Sequence, residues 1–371
     1  MRSACVSSAD AATITKAMPW PDIRLLDLFG IELPIVQAPM ANFAGVEMGI
    51  AVAEAGGLGA LPCAALDPDH IRSGVAAFRA HTQKPINCNL FCHIETPPDL
   101  SKDRAWLERI APYFAELGVE APPLPLPQGH PPFGERDRAA VEALRPEIVS
   151  FHFGLPPAPL LARVKATGCK ILSTATSVRE ARDLAARGVD AVIAQGAEAG
   201  GHRGMFLETD VATQTGTVAL VRGICAAVRI PVIAAGGIGD GRAIAAAFAL
   251  GASAVQIGTA YLLCPEAKAS ALHKEALAAP GRETAITNVL TGRPARGIVN
   301  RFMREQGPID AAAPAFPLAR PAIAPLRTKA EAAGSTDFSP LWSGQGPAPI
   351  AGVSAGDLTH RLAGDALALL G

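Results

Sequence analysis

The chain has 371 residues, 49% hydrophobic and 18% charged, with a net charge of -1. That length can bury one large core or two smaller ones, and so balanced a charge gives no basic field for nucleic acid or an anionic membrane. No stretch reaches the roughly 18 apolar residues of a membrane span, and the start lacks the apolar centre of a secretory signal. Seven scattered cysteines without CxxC spacing read as reduced thiols, so a cytoplasmic setting with no disulfide framework and no metal site is expected.

Residues 1–20 are expected to be poorly ordered, with a single domain over 21–371. Residues 34–40, PIVQAPM, form a short apolar strand ending at Pro39 and Met40, and a helix follows over 45–55. Leu58 opens a second strand, and the Asp-Pro pair at 67 and 68 starts a helix to about residue 80. The third strand, 85–90, carries Asn87, Asn89 and Phe91 toward its tip. From 95 to 147 the alternation breaks. A helix over 102–117 gives way to APPLPLPQGHPPFG, whose prolines exclude regular helix or interior strand, so this reads as an insertion that walls the loop face.

Strands at 148–151, 170–175 and 191–195 then alternate with helices at 159–167, 178–187 and 216–228. Residues 231–259, PVIAAGGIGDGRAIAAAFALGASAVQIGT, contain two buried strands around an alanine-rich helix. The first ends in Gly236 and Gly237, the second in Gly258 and Thr259, on the same side of the sheet. Residues without Cβ let backbone N–H groups approach a ligand, so an anion is expected there. Strand starts at Ile35, Leu58, Ile86, Ile148, Ile171, Ala191, Val232 and Ala254 number eight, which indicates a (β/α)8 TIM barrel rather than an open doubly wound sheet. A helix over 267–277 is expected to close it. Residues 280–350 are proline-rich and read as a loop-rich C-terminal cover, followed by a helix over 354–370.

His152 stands at the tip of the fourth strand, where active sites of this fold lie, and can act as base, donor or local positive charge. His202, in GGHRG, is its rival. His81, His93 and His130 are read as solvated surface. Gln195 and Gln256 each end an apolar strand, and Asn89 stands at another tip, where amides must find hydrogen-bond partners. A flavin edge or a phosphate suits them.

With QAPM (37–40), NCNLF (87–91), SFHFGLP (150–156), QGAEAGGHRG (195–204), AAGGIGDG (234–241), QIGTAYL (256–262) and LWSGQ (341–345), the sequence resembles the nitronate monooxygenase family, closest to its class I members. The resemblance runs from about residue 24 to the end. It implies an FMN-dependent barrel that oxidises small anionic alkyl nitronates such as propionate 3-nitronate with O2 to a carbonyl product and nitrite, as a monomer or homodimer. It further implies that Pro39 and Met40 lie against the flavin and that Asn89 and Gln195 bond it. Gly200, Gly201, Gly237, Gln256, Ile257, Gly258 and Thr259 hold ring and phosphate, and His152 is the active-site histidine. The family's pocket tyrosines and lysine are missing, because the chain has only Tyr113 and Tyr261 and its cover offers Phe302, Phe316, Arg320 and Arg327. The alternatives are an NAD(P)H-dependent flavin reductase of quinones or enoyl thioesters on the same scaffold, and a flavin-free lyase or isomerase of a phosphorylated substrate.

Overall fold

The computed structural model describes residues 20–371. The expectation of a poorly ordered start falls mainly on residues 1–19, outside that range. Eight short strands are parallel: β1 (Ile35–Gln37), β2 (Gly59–Pro62), β3 (Ile86–Phe91), β4 (Ile148–His152), β5 (Lys170–Ala175), β6 (Ala191–Gln195), β8 (Val232–Ala235) and β9 (Ala254–Ile257), with β7 (Gly201–His202) lying outside their sheet. They follow the order β1-β9-β8-β6-β5-β4-β3-β2. A single bridge between Val36 and Leu58 joins the two ends. There the Gln37 side chain accepts a bond from the Ala60 amide at 3.0 Å, standing in for a ladder carbonyl. The result is a (β/α)8 barrel; six of the eight strand starts coincide with those expected from hydrophobic runs, and β2 and β5 each start one residue away.

Two apolar layers account for the strands' nearly continuous burial. Val36, Leu58, Ile148, Leu172, Ile193 and Ile233 fill the inside, and Leu25, Phe29 and Ile31, from the helix Arg24–Phe29 and its exit, pack on the lower ends of those residues' strands. A larger layer lies between strands and helices, from Ile35 through Phe151 to Val255. Helix starts follow local chemistry. Asp67 accepts from the Asp69 and His70 amides with Pro68 as first residue, and Asp240 accepts from the Ala243 amide.

Two parts of the chain differ from the sequence reading. The helix that completes the outer ring is Ala355–Leu370, packed between Gly241–Ala249 and Val46–Glu54, whereas Ala271–Ala278 packs on the loop face beside Leu262 and Leu263. Small residues allow this, since a Cβ on Gly241 would stand 2.5 Å from Asp365 Cβ. The cover is also more regular than its prolines suggested. It holds a hairpin of β10 (Thr284–Thr287) and β11 (Ala295–Ile298), and the helices Arg301–Gln306 and Ala319–Ala332. Pro321 falls in the first turn of the longer helix, where no N–H partner is needed, and Pro325 is tolerated because Ala322, Ile323, Leu326 and Ala330 bury that helix's face.

That face belongs to a second core. Trp106, Tyr113 and Phe114, from the helices Leu100–Arg109 and Ala111–Leu117, and Ile110 between them pack with Phe302, Met303, Leu326 and Phe338 of the cover. The last helix after β3, Glu135–Leu144, instead returns to the barrel between Pro68–His81 and Ala158–Lys165.

Candidate active site

The upper strand ends converge beneath the cover. At β8, Gly236 and Gly237 take φ of 116° and 71°, which a side chain rarely adopts, so the glycine pair is required by the backbone. The amides of Gly237 and Gly258 find no partner among the described residues. Beside them the Gln256 Oε1 atom is buried without a hydrogen bond. Met40 reaches over from β1, its sulfur 3.5 Å from where a Gly258 Cβ would lie. Donors and an acceptor left free in one half-buried corner fit a group that carries both anionic oxygens and a ring N–H.

The segment 341–346 straps this corner. Gly344 donates to Thr259 Oγ1 at 2.9 Å and Gln345 to the Glu198 carbonyl at 2.9 Å, while Arg282 donates to the Gly346 carbonyl at 2.6 Å. Gly200 makes room for it, because a Cβ there would meet the Gly344 nitrogen at 2.6 Å. Gly201 and His202 pair with Arg296 and Ala295 of β11, so the loop after β6 and the cover share a three-stranded sheet. Buried Arg203 fastens that loop from within, donating to the carbonyls of Gln195 and Gly196 at 2.6 and 2.7 Å. The Gln195 amide bonds the same loop at both ends, to the His202 carbonyl and from the Gly204 amide. Asn89 donates to Ser150 Oγ at 3.0 Å across β3 and β4.

His152, at the end of β4, is held at both ring nitrogens. Nε2 lies 3.2 Å from the His202 carbonyl, an acceptor only, so Nε2 carries the proton and Nδ1 accepts from Thr174 Oγ1 at 3.0 Å. Burial, with Arg293 and Arg203 nearby, lowers its pKa to about 3, and the ring is neutral. His202 is lowered likewise to about 3, and its Nε2 meets Thr291 Oγ1 at 3.0 Å. Both residues are half-buried.

An aromatic cluster surrounds these histidines. Phe153 takes φ of 70°, which turns its ring to 4.5 Å from His152 and 4.9 Å from Phe91. Phe316 of the cover stands 5.4 Å from His202 and Trp342 stands 5.6 Å from it. His93, expected on the surface, is instead 6% exposed and 5.0 Å from Phe316, with Nδ1 unpartnered. Its place just beyond a strand tip was the available signal. Thr174 carried none, since only the fold brings it to His152, whereas Phe153 and Trp342 stood in the motifs SFHFGLP and LWSGQ and Phe316 was named in the cover, without their meeting being legible. Neither tyrosine lines the pocket: Tyr113 lies in the second core and bonds Glu305, and Tyr261 is buried against Thr359. The six described cysteines are free, and no group of residues among those described could hold a metal ion.

A family model described as nitronate monooxygenase matches residues 23–365. The nitronate monooxygenase of Pseudomonas aeruginosa is 43% identical over 91% of this chain and 97% of that protein. Among solved structures, the nitroalkane oxidase of Streptomyces ansochromogenes superposes with a TM-score of 0.83 at 38% identity, covering 92% of this chain and 97% of that one. FabK of Thermotoga maritima gives 0.68 at 26% identity, covering 95% and 98%.

Proposed function

The chain belongs to the nitronate monooxygenase family, whose members are flavin-dependent oxidoreductases, and from that premise we propose that it oxidises small alkyl nitronates with O2 to a carbonyl product and nitrite, using FMN, in the cytoplasm. The observation that carries this reading is a neutral, doubly anchored His152 in an aromatic pocket, at the same end of the barrel as the free amides of Gly237 and Gly258. FMN, when bound, supplies the electron transfer from substrate toward O2. Its phosphate suits Gly236, Gly237, Gly258 and Thr259, with Gly200 and Gly201 admitting the strap above. Gln256 would accept from the ring, Ile257 would align that strand end, and Pro39, Met40 and Asn89 would border the ring. Gln195 acts through the loop it holds.

The chain's own groups have distinct tasks in this proposal. Thr174 fixes the tautomer of His152, so that Nε2–H is the donor offered to a nitronate oxygen when the substrate displaces the His202 carbonyl. Phe91, Phe153, Phe316 and Trp342 keep water from the reacting carbon, which strengthens that bond in a low-dielectric site.

The test is O2 consumption by the yellow protein with propionate 3-nitronate and, separately, with NADH. Rapid uptake with the nitronate alone is expected, and His152→Asn should lower it by about 100-fold or more while flavin stays bound. NADH oxidation without nitronate turnover would favour the flavin-reductase reading.

A further inference from the structure

Arg293 lies in the turn between β10 and β11 and is drawn into the pocket without a carboxylate partner. Its guanidinium carbon stands 4.0 Å above the Phe153 ring centroid, and its Nη2 donates to the Met205 carbonyl. Nε is buried and bonds nothing among the described residues. Glu180 is the acidic group that faces it, but that carboxylate is already occupied by the amides of Thr176, Phe206 and Leu207. A desolvated guanidinium with a free donor is costly to bury, and an oxyanion beside it recovers much of that cost through charge-assisted bonds.

The neighbours of Arg293 cannot supply that charge. His93 from the loop after β3, His152 from β4 and His202 from β7 all feel its field, and burial holds them at about 4, 3 and 3, whereas Arg293 falls only to about 10. Arg203 is engaged by backbone carbonyls, and Arg320 faces His202 from an exposed position. We propose that Arg293 is the fixed cation of the pocket, binding the oxyanion of the substrate through its free Nε–H edge while His93, His152 and His202 line the site as neutral hydrogen-bonding walls. The identity of that oxyanion as a nitronate rests on the function proposed above; the cation itself does not.

Inorganic nitrite, the smallest oxyanion of this chemistry, is the probe. It is titrated into the flavin-loaded protein and followed by the flavin difference spectrum. Arg293→Met should weaken nitrite binding by roughly 10- to 100-fold and raise KM for propionate 3-nitronate by a similar factor, with a smaller change in kcat, and Arg293→Lys should recover part of both. Wild-type nitrite affinity should stay level from about pH 6 to 9, because a guanidinium does not titrate there. That profile decides the matter if the Met variant does not fold. Unchanged nitrite affinity in Arg293→Met, affinity that declines as pH rises through the histidine range, or no nitrite binding by the wild type would each overturn the proposal. Loss of nitrite binding in Arg293→Met from a protein inactive on nitronates would sustain it while removing the proposed substrate.

Discussion

Burial determines the charge of the histidines that line the pocket. His152 and His202 titrate near 3 and His93 near 4 in the folded protein, against about 6.5 in an unfolded chain. Since the unfolded state then binds more protons below about 6.5, stability is complete above that value and is lost as pH falls through the window toward 4. Each ring contributes at most about 1.4 kcal/mol per pH unit. The melting temperature of the flavin-loaded protein should therefore drop by about 5 °C between roughly pH 7 and 5, as read by calorimetry, and His202→Asn should flatten the slope. A slope unchanged by that substitution would mean that His202 is protonated in the native state. Single positions were unevenly legible from sequence. His152 could be read because a strand ended there, whereas Arg293 and Phe316 lie 141 and 164 residues further on, in turns whose packing no local pattern encodes.

Among the elements, the strands were the most legible, because both faces of each are covered and only continuous apolar runs satisfy that. The final helix was legible as a helix but not as the member that completes the ring. Its partner surfaces are made by Gly241, set against the Asp365 and Ala366 backbone, and Gly356, whose Cβ would stand 3.3 Å from the Ala51 carbonyl. Close approach of this kind depends on which helices meet, and the sequence shows only that they can. Gly241→Ala should lower unfolding free energy by about 1–3 kcal/mol in urea titration by forcing the helices apart; no loss would show that the contact yields freely. The cover helix Ala319–Ala332 illustrates the opposite error. Its prolines count against a helix locally, yet burial of its face in the second core outweighs one missing hydrogen bond.

The molecule has a barrel and a second core built from two segments far apart in sequence. Phe302 stands at the centre of that core, 6.3 Å from Trp106 and 5.6 Å from Tyr113, and Arg301 pairs with Glu116 at 2.6 Å beside it. Because β11 pairs with β7, this second core sets the position of His202 and of the strap over the strand ends. Phe302→Ala should cost about 3–5 kcal/mol. Hydrogen exchange should then rise first over residues 280–350 and only later in the barrel strands, with flavin retention falling alongside. Uniform acceleration over the whole chain would instead mean that barrel and cover unfold as one unit.

The sequence by itself determined the barrel, the glycine-bearing strand tips and the family, because each is written in residues adjacent along the chain: apolar runs, positions that need φ > 0, and short motifs. Tertiary structure decided what surrounds His152 and His202. The cover's hairpin and helices, folded against the helices after β3, bring Phe316 and Trp342 against His202 and Arg293 over Phe153, and burial there keeps the histidines neutral and leaves a guanidinium charged. Those are consequences of solvent exclusion between distant segments, and they exist only once the segments have met.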